Sequence, residues 1–156
     1  MVILFIYCLQ YLVGNVYLTK DIIINIMDTK INVDKCLSLS LTGKEGAIVS
    51  FIGTIKGINN NKNVIKVDYN IFNSLAYSII KEKCFYFLDK YKCQIHIYQY
   101  KGILFVKDVN ILIIVNSCSR RDSFFVCSEL LEFIKSNVPI WKKEFYSDGS
   151  YKWINS

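Results

Sequence analysis

Phe133-Ile134-Lys135-Ser136-Asn137-Val138-Pro139-Ile140-Trp141-Lys142-Lys143-Glu144 is where the chain changes its period, and the fold is read outward from it. Before it, Phe124, Cys127, Leu131 and Ile134 recur at the spacing of one helix face. Pro139, the single proline, ends that helix because its ring fixes φ and removes an N–H donor. Beyond it, Phe145 and Tyr146, then Tyr151 to Ile154, flank Asp148-Gly149, a hairpin signal. Trp141 is expected as an apolar anchor that fixes Lys142 and Lys143 beside it. With Lys135 these make three ammonium groups held close together, an arrangement that suits a place visited by an anion. Ordinary solvated charge is the alternative for Lys142 and Lys143.

Upstream, Ile22, Ile24 and Ile26 alternate as a first strand, and residues 33–41 suggest a short helix. Residues 46–55 form an apolar run expected to be a strand buried on both faces. Gly57-Ile58-Asn59-Asn60-Asn61-Lys62-Asn63 is expected as a mobile loop, since Asn and Gly favour turns and bury little. Residues 64–69 alternate again. Phe72, Leu75, Ala76, Ile79, Ile80, Phe87 and Leu88 then take up helical spacing, with Asn73 or Ser74 as the cap. Residues 93–100 and 109–117 return to strand patterns, separated by a turn near Lys101-Gly102. Strands interspersed with two main helices predict an α+β sandwich, a mixed or antiparallel sheet with helices on one face.

A chain of 156 residues, 53% hydrophobic, buries a core without staples and makes one domain over 21–156. Residues 1–13 are almost wholly apolar, but Gly14, Asn15 and Lys20 cut the run short of the roughly 20 residues that span a bilayer. Residues 1–20 are therefore set apart as an apolar leader or extension, with no stable membrane span. The formal charge of +6 favours an anionic partner. The six cysteines, Cys8, Cys36, Cys84, Cys93, Cys118 and Cys127, contain no C-x-x-C pair. The lone His96 has no partner at ligand spacing, so no zinc site is expected. Reduced thiols in a cytosol-like compartment follow, with buried packing as the default role of Cys118.

Ser119-Arg120-Arg121-Asp122-Ser123 opens the second helix, where unpaired N–H groups and the helix dipole favour phosphate or carboxylate. Arg120 adds a bidentate donor, while Asp122 or Ser123 as a plain cap is the alternative. Lys56 adds a further cation at a strand end. There is no Ser-His-Asp set, no phosphate-binding glycine loop and no diagnostic carboxylate pair. An enzyme made from these parts works on an anionic substrate with lysines and arginines.

From about residue 22 to 154 the chain resembles the large, catalytic subunit of molybdopterin synthase. The resemblance rests on Gly46-Ala47-Ile48-Val49-Ser50-Phe51-Ile52-Gly53-Thr54-Ile55-Lys56, on Ser117-Cys118-Ser119-Arg120 with Phe124, and on Lys135 with Pro139-Ile140-Trp141-Lys142-Lys143-Glu144. Asp148-Gly149 and Trp153 follow in order. It implies an α/β hammerhead-type fold and a cytoplasmic homodimer within a heterotetramer. It implies a ubiquitin-like small subunit whose C-terminal Gly-Gly tail carries a thiocarboxylate. The implied reaction converts cyclic pyranopterin monophosphate to molybdopterin by placing two sulfurs as a dithiolene, with no metal and no cofactor on this chain.

Carried over by position, Lys135 and Lys142 are the catalytic lysines. Thr54, Ile55, Lys56, Ser119, Arg120, Lys143 and Glu144 are the substrate-binding positions. The chain departs from the family pattern at Lys56, which replaces an arginine, and at Ser119, which replaces a histidine. Gln99-Tyr100 stands where the family has a second His-Arg pair. A catalytically decayed homologue that still binds its partner is the competing reading. A basic nucleic-acid-binding module ranks last, because the aromatics fall mostly on core-facing periodicities.

Overall fold

The computed structural model describes residues 11–13 and 16–154. Its elements are β1 (Tyr11–Val13), β2 (Val16–Leu18), β3 (Ile22–Met27), α1 (Val33–Ser40), β4 (Ala47–Thr54), β5 (Ile58–Asn59) and β6 (Lys62–Ile71). They continue with α2 (Asn73–Tyr91), β7 (Cys93–Tyr100), β8 (Gly102–Phe105), β9 (Val109–Ser117), α3 (Arg120–Asn137), β10 (Ile140–Tyr146) and β11 (Tyr151–Ile154). The first ten residues of the expected leader, with Cys8, lie outside the described residues. Of its remainder, β2 pairs antiparallel with β3, and Tyr17 is buried in the core.

A six-stranded sheet runs β1-β2-β3-β7-β9-β4, with β3 and β7 parallel and its other pairs antiparallel. A second sheet runs β11-β10-β6-β5, with β8 also on β6. Alternation along β3, β7 and β9 divides the apolar side chains between two cores. Ile24, Ile97 and Ile113 meet α2 and α3 through Ile80, Phe87 and Leu130. Tyr98, Leu112 and Ile114 meet the second sheet and α1 through Val67, Tyr69, Leu104 and Cys36. The α+β sandwich is present with its two main helices, α2 and α3, on one face, and a second sheet with the short α1 closes the other.

Several local expectations change. The run ending at Thr54 is β4, an edge strand paired only with β9, and Ile48 and Ile52 are exposed on it. A continuous apolar run does not distinguish a central strand from an edge. The expected mobile loop is instead a tight hairpin, in which β5 pairs with β6 around Asn60 and Asn61 at φ 48° and 60°. Asparagine tolerates this left-handed region, which a two-residue turn of the primed kind demands at both positions. The α2 cap is Phe72 and makes no side-chain cap bond, while α3 is capped by Ser119, whose Oγ accepts from the Asp122 N–H. Phe72, Leu75 and Phe124 lie exposed, so the buried stripe of α3 is Ser123, Val126, Cys127, Leu130 and Ile134. Trp141 is 47% exposed rather than pinned into the core; pairing of β10 with β6 and β11 fixes the lysines instead. Cys118 is exposed, whereas Cys36, Cys84, Cys93 and Cys127 are buried and none of the five is bridged. Among the described residues no helix is long and apolar enough to cross a membrane.

Candidate active site

A bulge builds the site. Gly53 pairs with Ile111 and Thr54 with Val109, so Asn110 is the extra residue of β9. Its side chain crosses the face of Gly53, where a Cβ would stand 2.7 Å from Asn110 Oδ1 and 2.6 Å from Ile111 Cγ2. Only glycine permits that approach. The strand then bends, and Thr54, Ile55 and Lys56 line a cavity of about 300 Å³ with Lys135, Lys142 and Glu144. A second cavity of about 320 Å³ shares Lys135, Lys142, Tyr69, Asn110 and Ile111 with the first as lining residues.

The two lysines arrive from different elements. Lys135 stands in the last turn of α3, which Pro139 ends, and its ammonium lies 3.7 Å from Glu132 and 6.0 Å from the Phe51 ring centroid. The Glu132 pair is exposed and holds little. Lys142 comes from β10 and lies 4.0 Å from Glu144 Oε1. Glu144 is two residues on, so alternation aims it to the same side, where it is 4% exposed. Its Oε2 accepts from Asn59 Nδ2 at 2.7 Å and from Tyr146 Oη at 3.1 Å. The β5–β6 hairpin thus holds the carboxylate that faces Lys142.

Tyr69 closes the floor. Its Oη accepts from Asn110 Nδ2 at 3.1 Å. Burial pushes its phenol up to about 12, the Asn110 bond works against this, and the Glu144 charge reinforces it. The phenol therefore stays protonated at neutral pH. Gln99 lines the inner part, but its amide donates to the carbonyls of Tyr100 at 3.1 Å and Asn110 at 3.0 Å. It braces the bulge.

The structure brings Thr54, Ile55, Lys56, Lys135, Lys142 and Glu144 together. Lys143 is turned away by strand alternation, and its ammonium lies 3.7 Å from the Tyr151 ring centroid on the outer face. Ser119 and Arg120 stand at the start of α3 and Lys135 at its end, roughly 22 Å away at about 1.5 Å of rise per residue. One chain does not bring them to one small molecule. Sequence reasoning missed Tyr69, Asn110 and Asn59. A polar Asn110 directly before the apolar run 111–115 was the available signal for one of them. Among the described residues no group of three acidic, His or Cys side chains is placed to hold a metal.

The family whose description is MoaE protein matches residues 26–137. The chain is 31% identical over 136 residues to the molybdopterin synthase catalytic subunit of Bos taurus, covering 86% of this chain and 71% of that one. Its fold is similar to a molybdopterin synthase structure from Staphylococcus aureus, with TM-score 0.78 and 25% identity over 84% of this chain and 96% of that one. It is also similar in fold to a chain in a complex of subunits 1 and 2 of molybdopterin-converting factor from Helicobacter pylori, with TM-score 0.71 and 16% identity. That match covers 84% of this chain and 88% of the other.

Proposed function

From the premise that the chain belongs to the MoaE protein family, we propose that its pocket performs the molybdopterin synthase reaction of molybdenum cofactor biosynthesis. Sulfur is carried in as the thiocarboxylate tail of a small subunit, and the acceptor is cyclic pyranopterin monophosphate. The observation that supports this is the convergence of Lys135, Lys142 and Lys56 on one cavity. Both reactants are anionic, and these three ammonium groups attract and orient them. Lys142 is the residue placed at the reacting atoms, because Glu144, held by Asn59 and Tyr146, fixes its position. Glu144 is a positioning residue. Ser119 and Arg120 serve the same chemistry from a second copy of the chain, since their own copy's lysines lie at the far end of α3. A homodimer with one small subunit at each pocket satisfies this arrangement.

The test is a reconstituted turnover assay with the thiocarboxylated small subunit and the cyclic pterin. Lys142→Ala is expected to lower turnover by about 100-fold to 10,000-fold, the usual range for a positioned proton-transfer group. Its unfolding curve should match that of the parent chain. Near-normal turnover, or a chain that no longer folds, would remove Lys142 from this role. Gln99, tied to two carbonyls, favours a second reading in which the chain binds its partner without turnover. Tight small-subunit binding with no product from the parent chain would establish that one.

A further inference from the structure

Lys142 does not face its cavities alone. In the pairing of β10 with β6, Tyr69 stands directly opposite it, and both residues line both cavities. Side chains opposed in this way point to the same side, with Cβ atoms about 5 Å apart. An ammonium group and a phenol are thus set side by side over one space. The phenol is anchored through its oxygen, which accepts from Asn110 Nδ2 at 3.1 Å, and the residue is 8% exposed. Among the described residues no acceptor takes its own proton. Burial and the Glu144 charge keep that proton in place at neutral pH. Gln99, a neutral neighbour in the same wall, spends its N–H groups on the Tyr100 and Asn110 carbonyls. Tyr69 therefore brings an uncommitted neutral O–H to the side of Lys142.

We propose that Tyr69 is a further catalytic residue, the hydrogen-bond donor to the acyl oxygen when sulfur is released from the small subunit's tail; this role rests on the synthase reading above. Sulfur carried on an acyl carbon bonds the acceptor carbon first and leaves the acyl carbon second, so a thioester joins tail and pterin between the two events. Water then adds to the acyl carbon and gives one proton to solvent, while the carbonyl pair moves onto oxygen. As that oxyanion returns to a carbonyl, the acyl C–S bond breaks. Its electron pair stays on sulfur, which leaves as a pterin thiolate beside the Lys142 ammonium. The tail departs as a carboxylic acid and loses its proton to solvent. Nothing is oxidised or reduced, and Tyr69 keeps its proton throughout. A neutral hydroxyl binds a thioester carbonyl weakly and an oxyanion strongly, so its effect falls on the barrier and not on the bound ground state. Asn110, which holds the phenol oxygen, is a positioning residue.

The test compares the parent chain with Tyr69→Phe, which keeps the ring and removes the donor, using the thiocarboxylated small subunit and the cyclic pterin. Tyr69→Phe is expected to lower kcat by about 100-fold, the usual effect of removing one oxyanion donor, with KM for the pterin little changed. Acid-quenched intact mass should show the small subunit joined through sulfur to the pterin accumulating in Tyr69→Phe and not in the parent. A loss of packing alone would not collect that species. Replacing Tyr69 with 4-aminophenylalanine restores a weaker N–H donor of the same shape, and its turnover should lie between the other two. If Tyr69→Phe does not fold, the amino variant carries the comparison, with a partial loss of kcat and the same adduct expected. Parental kcat in Tyr69→Phe, a slow variant that collects no adduct, or an amino variant no faster than phenylalanine would overturn this role and leave the synthase reading standing. A parent chain that yields neither product nor adduct would overturn both.

Discussion

His96 is the chain's single histidine and lies 5% exposed in the middle of β7, with Nδ1 lacking a partner. Burial alone holds its pKa below the ordinary value. Unfolded chains take up the proton near pH 6.5, whereas the folded protein takes it up only at lower pH. The unfolded state therefore binds more protons below that point, and stability falls as the pH is lowered through about 6.5. The lowered carboxylates Glu45, Asp108 and Asp148 contribute only below about pH 5, so the interval between belongs to His96. Urea midpoints at pH 7.5 and 5.5 should differ in the parent chain and coincide in His96→Gln. Equal midpoints in both chains would mean that the imidazole takes up its proton in the fold as readily as in the unfolded chain. At this scale the sequence was partly legible. Lys135, Lys142 and Lys56 could be singled out and do converge. Lys143 could not be separated from Lys142, because only the direction of each side chain from β10 divides them, and both neighbours of that strand had to be known.

At the scale of elements, the β5–β6 hairpin decides more than its length suggests. It carries Asn59, which holds Glu144, which in turn faces Lys142. Its turn places Asn61 at φ 60°, where a β-branched residue is strained by about 1–2 kcal/mol and glycine is not. Asn61→Val is expected to lower stability by that amount, a few degrees in Tm for a chain of this size, while Asn61→Gly holds or raises it. Thermal unfolding decides between this turn and a mobile loop, for which Asn61→Val would be neutral. The asparagine run was legible as a turn but not as a fixed one, since its constraint comes from Glu144, far away in sequence. The two helices and the Asp148-Gly149 hairpin were legible from period and composition, because helix spacing and turn chemistry are local. The exposure of β4 was not, because it depends on which strand lies beside it.

For the molecule as a whole, the separation of Arg120 from Lys142 makes a prediction about mixed assemblies. Where a complete site takes its lysines from one copy and Arg120 from another, Arg120→Ala and Lys142→Ala chains are each inactive alone. Refolded together in equal amounts, half of the dimers are mixed, and each mixed dimer holds one intact site of two. About one quarter of parental activity is expected to return. No recovery, with mixed dimers demonstrated by mass, would place both residues in the service of one copy. The fold class was readable from the order of strands and helices, whereas the second sheet was not, because β6, β8 and β10 are distant in sequence and meet only across non-local pairings.

The outer face of that second sheet has one more consequence. Both tryptophans of the chain stand on it, Trp141 at 47% and Trp153 at 51% exposure, on either side of Lys143. The protein thus carries its own optical label on a single surface. Indole emission will register whatever covers that sheet, and it will pass over events in the lysine cavity on the other side of the same strands.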